Sequence, residues 1–143
     1  MEVAHVELGE SDFTAVGTQL GPAYELRYRL EPSRLFLEVV GERSREVELA
    51  DADFFDLGWS PLFNSLPVIR DKLLESGPPR LYEMRWVDVP SLAISKSEQR
   101  YEPLGKRQVR FSAGDFTTDI RFDAAGFVLE YPGIAVRVPE PRT

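Results

Sequence analysis

The sequence predicts a mainly β protein: an antiparallel, strongly curved sheet or partial barrel of about ten strands, with one short helix packed on or in it. Three observations carry this expectation. Apolar and polar residues alternate with period two along most of the chain, the pattern of half-buried strands. The runs are joined by short segments of turn chemistry, which suit antiparallel neighbours, since parallel pairs need longer crossovers. Only one stretch changes to helical spacing.

Strands are expected at Ala4 to Leu8 and Phe13 to Leu20, then at Tyr24 to Leu30. In that third run Tyr24, Leu26, Tyr28 and Leu30 form one face, and Glu25, Arg27 and Arg29 the other. Arg34 to Val40 and Arg45 to Leu49 follow. After the helical stretch come Leu81 to Val87, Leu92 to Ile94, Gln99 to Leu104 and Arg107 to Ala113. Phe116, Thr118, Ile120 and Phe122 alternate with Thr117, Asp119 and Arg121, and Phe127 to Tyr131 and Ile134 to Val138 complete the series. Turns fall at Gly9-Glu10-Ser11-Asp12, Glu31-Pro32-Ser33, Gly41-Glu42-Arg43-Ser44 and Asp123-Ala124-Ala125-Gly126. Tyr131-Pro132-Gly133-Ile134 reads as a type II turn, with Pro second and Gly at the positive-φ third position.

Leu66, Ile69 and Leu73 have helical spacing, which predicts a helix over Leu66 to Ser76. Asn64 or Ser65 would cap it, Pro67 fits the first turn, and Gly77 would end it before Pro78-Pro79. With no linker or repeat in view, residues 1–138 are expected to form a single domain and 139–143 a loose tail.

The composition excludes several functions. The 143 residues include 17 basic and 24 acidic side chains, a formal charge of −7. Such a balance repels nucleic-acid backbones and anionic lipid surfaces. Cysteine is absent, so disulfides, thiol catalysis and Cys-based zinc sites are excluded. No signal-peptide pattern and no apolar run of transmembrane length is visible. The expectation is a cytoplasmic protein without stable membrane insertion and without a nucleic-acid partner.

Catalytic and metal motifs are also missing. His5 is the only histidine, and it falls on a charged strand face, which leaves no second imidazole for a metal pair. Gly58-Trp59-Ser60-Pro61-Leu62 lacks the closing glycine of a nucleophile elbow, and Pro61 removes a backbone N–H, so Ser60 reads as a turn or cap residue. Asp51, Asp53 and Asp56 lack the glycine and glutamate of a calcium loop. Neither a metal, a cofactor nor a catalytic residue is expected. The segment from Asp56 to Arg70 is unusual in combining Trp59 and Phe63 with two prolines and the polar Asn64. It reads either as a clasp pinning the helix to the sheet or as a lid over an apolar cavity.

The run Asp56-Leu57-Gly58-Trp59-Ser60-Pro61, followed by Asn64-Ser65-Leu66-Pro67 and Arg70, resembles the signature of the putative glycolipid-binding family. Gly17 to Leu30, Glu98-Gln99-Arg100-Tyr101, and Gly126-Phe127-Val128 with Tyr131-Pro132-Gly133 resemble further family segments in the same order. The chain departs from the family pattern in a clipped connection between Leu49 and Phe54. The resemblance implies a bacterial, β-rich curved sheet similar to lipoprotein and lipid carriers, and it implies no catalytic residues. Together with the aromatic-rich inward face, it leads to the expectation of non-catalytic binding of an amphipathic small molecule, glycolipid or fatty-acyl-like. Trp59, Phe63, Tyr101 and Tyr131 would line the site, and Asp56, Asn64, Arg70, Glu98 and Arg100 would supply polar contacts. The residues also allow two other readings: an enzyme for a small sugar or acyl substrate using Asp56 with Arg70 or Glu98 with Tyr101, and a protein-interaction module working through a sheet edge.

Overall fold

A computed structural model describes residues 1–9 and 12–138. The turn expected at Gly9 to Asp12 is therefore described only at its ends, and the tail expected over 139–143 lies outside the described residues. The chain is mainly β with one short helix. Its order is β1 (Glu2–Leu8), β2 (Phe13–Leu20), β3 (Glu25–Leu30), β4 (Arg34–Val39), β5 (Arg43–Glu48), β6 (Phe54–Leu57), α1 (Leu62–Arg70), β7 (Arg80–Val87), β8 (Ile94–Gly105), β9 (Gln108–Ala113), β10 (Phe116–Phe122), β11 (Val128–Tyr131) and β12 (Ala135–Val136). One sheet runs β1-β2-β3-β4-β5 and the other β12-β11-β10-β9-β8-β7-β6.

Two expectations need correction here. The sheets are not wholly antiparallel, because β6 pairs parallel with β7, Phe54 opposite Met84 and Leu57 opposite Val87. Twelve described strands replace the expected ten or so. β6 escaped notice because Phe54, Phe55 and Leu57 are all buried, so the strand shows a short apolar run in place of alternation, as parallel strands do. The strand expected at Leu92 to Ile94 does not form, since Leu92 is turned to φ +64 and only Ile94 is extended; Ile94 opens β8, the single strand that also takes in the expected Gln99 to Leu104. Its polar stretch remains extended, and Lys96 reaches Glu83 at 3.3 Å.

The chain divides into two compact units, Met1–Ser60 with Glu83–Ser97, and Pro61–Tyr82 with Glu98–Thr143. In the first unit β1 to β5 form a meander whose registers run without a shift. Leu26, Tyr28, Leu30, Leu35, Leu37, Val39 and Val47 are buried on one face, each apolar side chain contributing about 1.5–3 kcal/mol. Arg27, Arg29 and Arg34 lie on the other, Arg29 stacked 4.3 Å above the Phe36 ring. The β2 position facing Tyr28 must be glycine: a Cβ on Gly17 would stand 2.3 Å from the ring.

In the second unit the helix occupies Leu62–Arg70, not the expected Leu66 to Ser76. It starts earlier because Pro61 serves as N-cap without a side-chain bond, its carbonyl accepting from Asn64 N–H at 3.0 Å. Asn64 and Ser65 are thus inside the helix, not caps. Its end is a Schellman motif: Lys72 takes φ +55, and Leu73 N–H reaches back to Val68 O at 3.0 Å. Leu73 and Val68 are both buried, the apolar contact typical of that motif. Leu73 therefore belongs to the cap and not to the helical stripe, which is why spacing alone carried the helix too far. Residues Leu62 to Val68 are all buried, so packing stabilises a nine-residue helix that contains Pro67 and would not stand alone.

Candidate functional site

Period-two alternation turns Tyr101 and Phe111 to the same face of the second unit as Tyr131, and adjacent strands bring their rings together. Tyr82 of β7 meets Tyr101 of β8 edge-on at 5.4 Å, and Tyr101 meets Phe111 of β9 at 5.4 Å. Phe111 lies 6.1 Å from Tyr131 of β11, which stacks on Phe116 of β10 at 6.3 Å with the planes 19° apart. Each such pair contributes about 0.5–1.5 kcal/mol beyond its buried area. The row is buried from Tyr82 on, fully covered at Tyr101, and reaches the surface at Phe116, 45% exposed.

A polar chain borders this row. Asn64, inside α1, donates to the Tyr101 hydroxyl at 3.2 Å. Tyr82 donates to Asp71 Oδ2 at 2.6 Å, and Arg70 Nε donates to Asp71 Oδ1 at 3.2 Å. Burial pulls the Asp71 carboxyl upward, but the Tyr82 hydrogen bond and the Arg70 and Arg80 cations outweigh it and hold the group below its usual range. The Tyr82 phenol is pushed up by burial and by the adjoining carboxylate. α1 is fastened to β11 by a Val128 N–H bond to Ser65 Oγ at 3.0 Å.

These elements link Asn64, Arg70, Tyr101 and Tyr131 of the expected binding residues through the ring row and its polar border, all within the second unit. Phe63 is buried in the same unit. Glu98 and Arg100 also belong to this unit, but alternation along β8 puts them on the face opposite Tyr101. Arg100 there faces Glu102 at 3.5 Å. The Glu98–Tyr101 pairing considered for catalysis is split across the two faces of β8 by the same alternation. Asp56 and Trp59 belong to the first unit, Asp56 half-buried in β6 and Trp59 66% exposed with φ +60.

The first unit holds a polar cluster that sequence reasoning missed. Tyr28 donates to Glu2 Oε2 at 2.8 Å, and the buried Ser60 hydroxyl donates to the same oxygen. Ser60 is thus a turn residue, its N–H reaching Leu57 O at 3.2 Å, and not the helix cap, which is Pro61. Nearby, Gln19 donates to Gly58 O at 3.0 Å and accepts from Tyr24 at 2.6 Å. Burial and the Glu2 carboxylate push the Tyr28 phenol up, so it remains a neutral donor. The one sequence signal for this cluster was Gln19 and Glu2 at inward-facing strand positions, where apolar residues would otherwise stand. His5 is exposed and lies 3.8 Å from Glu7. Among the described residues no group of three or more His, Asp or Glu could hold a metal, and no helix is long and apolar enough to cross a membrane.

The class defined by this geometry is a mainly β fold with one buried helix, an aromatic row and a polar border. The chain belongs to the family described as "Putative glycolipid-binding", whose model matches residues 38–137. It also shares its fold with a DUF1089 family protein from Pseudomonas aeruginosa: 19% sequence identity, TM-score 0.73, covering 96% of this chain and 92% of that one. Comparison with curated proteins finds no match.

Proposed function

We propose that the second unit binds an amphipathic small molecule, a glycolipid or fatty-acyl compound, without catalysing a reaction on it. The observation that carries this reading is the aromatic row that emerges at the surface at Phe116. Family membership supports it. An acyl chain lying against Phe116 and Tyr131 would gain about 0.8 kcal/mol for each CH₂ it buries. Phe63 and Tyr101 are covered, so a chain passing beyond Tyr131 requires α1 to shift, at the cost of the Ser65–Val128 bond. Asn64 and Arg70 then supply a hydrogen-bond donor and a cation for a sugar or acid head group. Glu98 and Arg100 play no part, being on the other face of β8.

The test is native mass spectrometry of the purified protein, before and after incubation with acylated glycolipids of graded chain length, paired with displacement of a fluorescent fatty-acyl probe. Binding should tighten as the chain lengthens, and Phe116→Ala should weaken it at least several-fold. A clean unliganded mass with no probe uptake at any chain length would reject the reading.

A further inference from the structure

Among the described residues the two sheets end in four edge strands, β1 and β5 in one, β12 and β6 in the other. An edge offers its outward N–H and C=O groups to any extended chain, and sheets blunt such edges by shortness, charge, proline or cover. β12 has two residues. β6 has four, with Phe54, Phe55 and Leu57 buried. β5 carries Arg43, Arg45, Glu46 and Glu48 in six residues. β1 differs from all three. It has seven residues, no proline, lysine or arginine, and an unbroken register against β2. Along it Val3, Ala4, His5, Glu7 and Leu8 are exposed.

The parity of its hydrogen bonds is fixed at both ends. Met1 and Leu20 exchange both backbone bonds, at 3.0 and 2.7 Å, and Gly9 N–H reaches Asp12 O at 2.7 Å. Alternation then spends the backbone groups of Val3, His5 and Glu7 on β2 and turns those of Ala4, Val6 and Leu8 outward.

We propose that β1 is a self-association edge, through which two copies of this chain pair antiparallel about a two-fold axis at His5. This register is self-complementary. It sets Ala4 against the partner's Val6, Glu2 against the partner's Leu8 and Val3 against the partner's Glu7, so no carboxylate opposes a carboxylate. Every outward-turned residue falls in a hydrogen-bonded pair, and moving the axis to Ala4 or Val6 leaves one end of the strand without a partner. The outer face adds apolar surface at the axis, since Val16, 58% exposed, stands directly opposite His5 on β2. An unrelated peptide would have to match this spacing of acids by chance, whereas a second copy matches it by symmetry. The charge of −7 on each copy opposes association at long range, so added salt should strengthen the dimer.

Because the chain has no cysteine, single-cysteine variants report the register. Two copies of His5→Cys face each other at the axis, where directly opposed Cα atoms are about 4.5 Å apart, within disulfide reach. Two copies of Val3→Cys would stand four positions apart, roughly 13 Å, and cannot join. Mild oxidation should therefore cross-link His5→Cys to a dimer, leave Val3→Cys and Glu7→Cys alone as monomers, and join those two when mixed. Ala4→Pro removes an outward N–H without touching β2 and should give a monomer by light scattering, with the circular dichroism of the parent. The proposal is overturned by a parent protein that stays monomeric at submillimolar concentration, or by Val3→Cys cross-linking as fast as His5→Cys.

Discussion

Replacing Gly17 with alanine tests whether the first unit is built around the close approach of β2 to Tyr28. The new Cβ would lie 2.3 Å from Tyr28 Cζ and 2.4 Å from its hydroxyl oxygen, against an optimum of about 3.5–4.0 Å between carbons. The ring must retreat by more than an ångström, although it is buried and its hydroxyl is held 2.8 Å from Glu2. Overpacking of this kind costs about 1–3 kcal/mol, and a lost hydrogen bond to a charged acceptor about 1.5–3 kcal/mol. Alanine returns about 0.5–1 kcal/mol over glycine within a strand. The expected net loss is about 1.5–5.5 kcal/mol. Urea unfolding followed by tryptophan fluorescence measures it, since the molecule's two tryptophans, Trp59 and Trp86, both report on this unit. In a Tyr28→Leu background the same alanine should cost less than about 0.5 kcal/mol, or stabilise, because the obstructing ring is gone. Equal costs in the two backgrounds would refute the reasoning.

Two further predictions concern the second unit. Asp71 has its carboxyl held low in the folded state, so its stabilisation is present above the ordinary aspartate value and fades as pH falls through the lowered one. Asp71→Asn should lower stability at neutral pH and flatten the acid limb of a stability-versus-pH series; an unchanged acid limb would count against the Tyr82–Asp71–Arg70 arrangement. At Lys72, held at φ +55, glycine should be neutral or stabilising by up to about 1 kcal/mol, whereas valine should cost about 1–2 kcal/mol. Urea unfolding read by far-ultraviolet circular dichroism distinguishes them, and equal effects would show that the left-handed cap does not end the helix.

Alternation made β2 and β10 readable to the residue, since Phe13–Leu20 and Phe116–Phe122 are the spans expected. The type II turn at Tyr131 is also as expected: Gly133 has φ +77 and Ile134 N–H bonds to Tyr131 O at 2.9 Å. Where both faces of an element are buried, the pattern failed. β6 has no polar face to alternate with, and α1 is covered over seven consecutive residues. The helix was consequently anchored on Leu73, an apolar residue that belongs to the cap, and Gly77 was given a task that Lys72 performs.

The candidate site shows the same division. Tyr101 and Tyr131 could be assigned to an inward face from their own strands, because side-chain direction depends only on local parity. That Tyr101 would neighbour Tyr82 and Phe111, or that Asn64 would reach its hydroxyl, depends on strand order and on where α1 sits, which are non-local. Glu98 and Arg100 were grouped with Tyr101 by proximity in sequence, although the parity of β8 already separated them. The cluster of Glu2, Tyr28 and Ser60 joins residues 26 and 58 positions apart, and no spacing rule reaches that far. The sequence by itself determined the β class, most strand faces and the absence of cysteine chemistry, because these follow from local periodicity and composition. Only the tertiary structure decided the parallel β6–β7 pair, the ends of the helix and the partners of the buried polar groups, because each is settled by what packs against it.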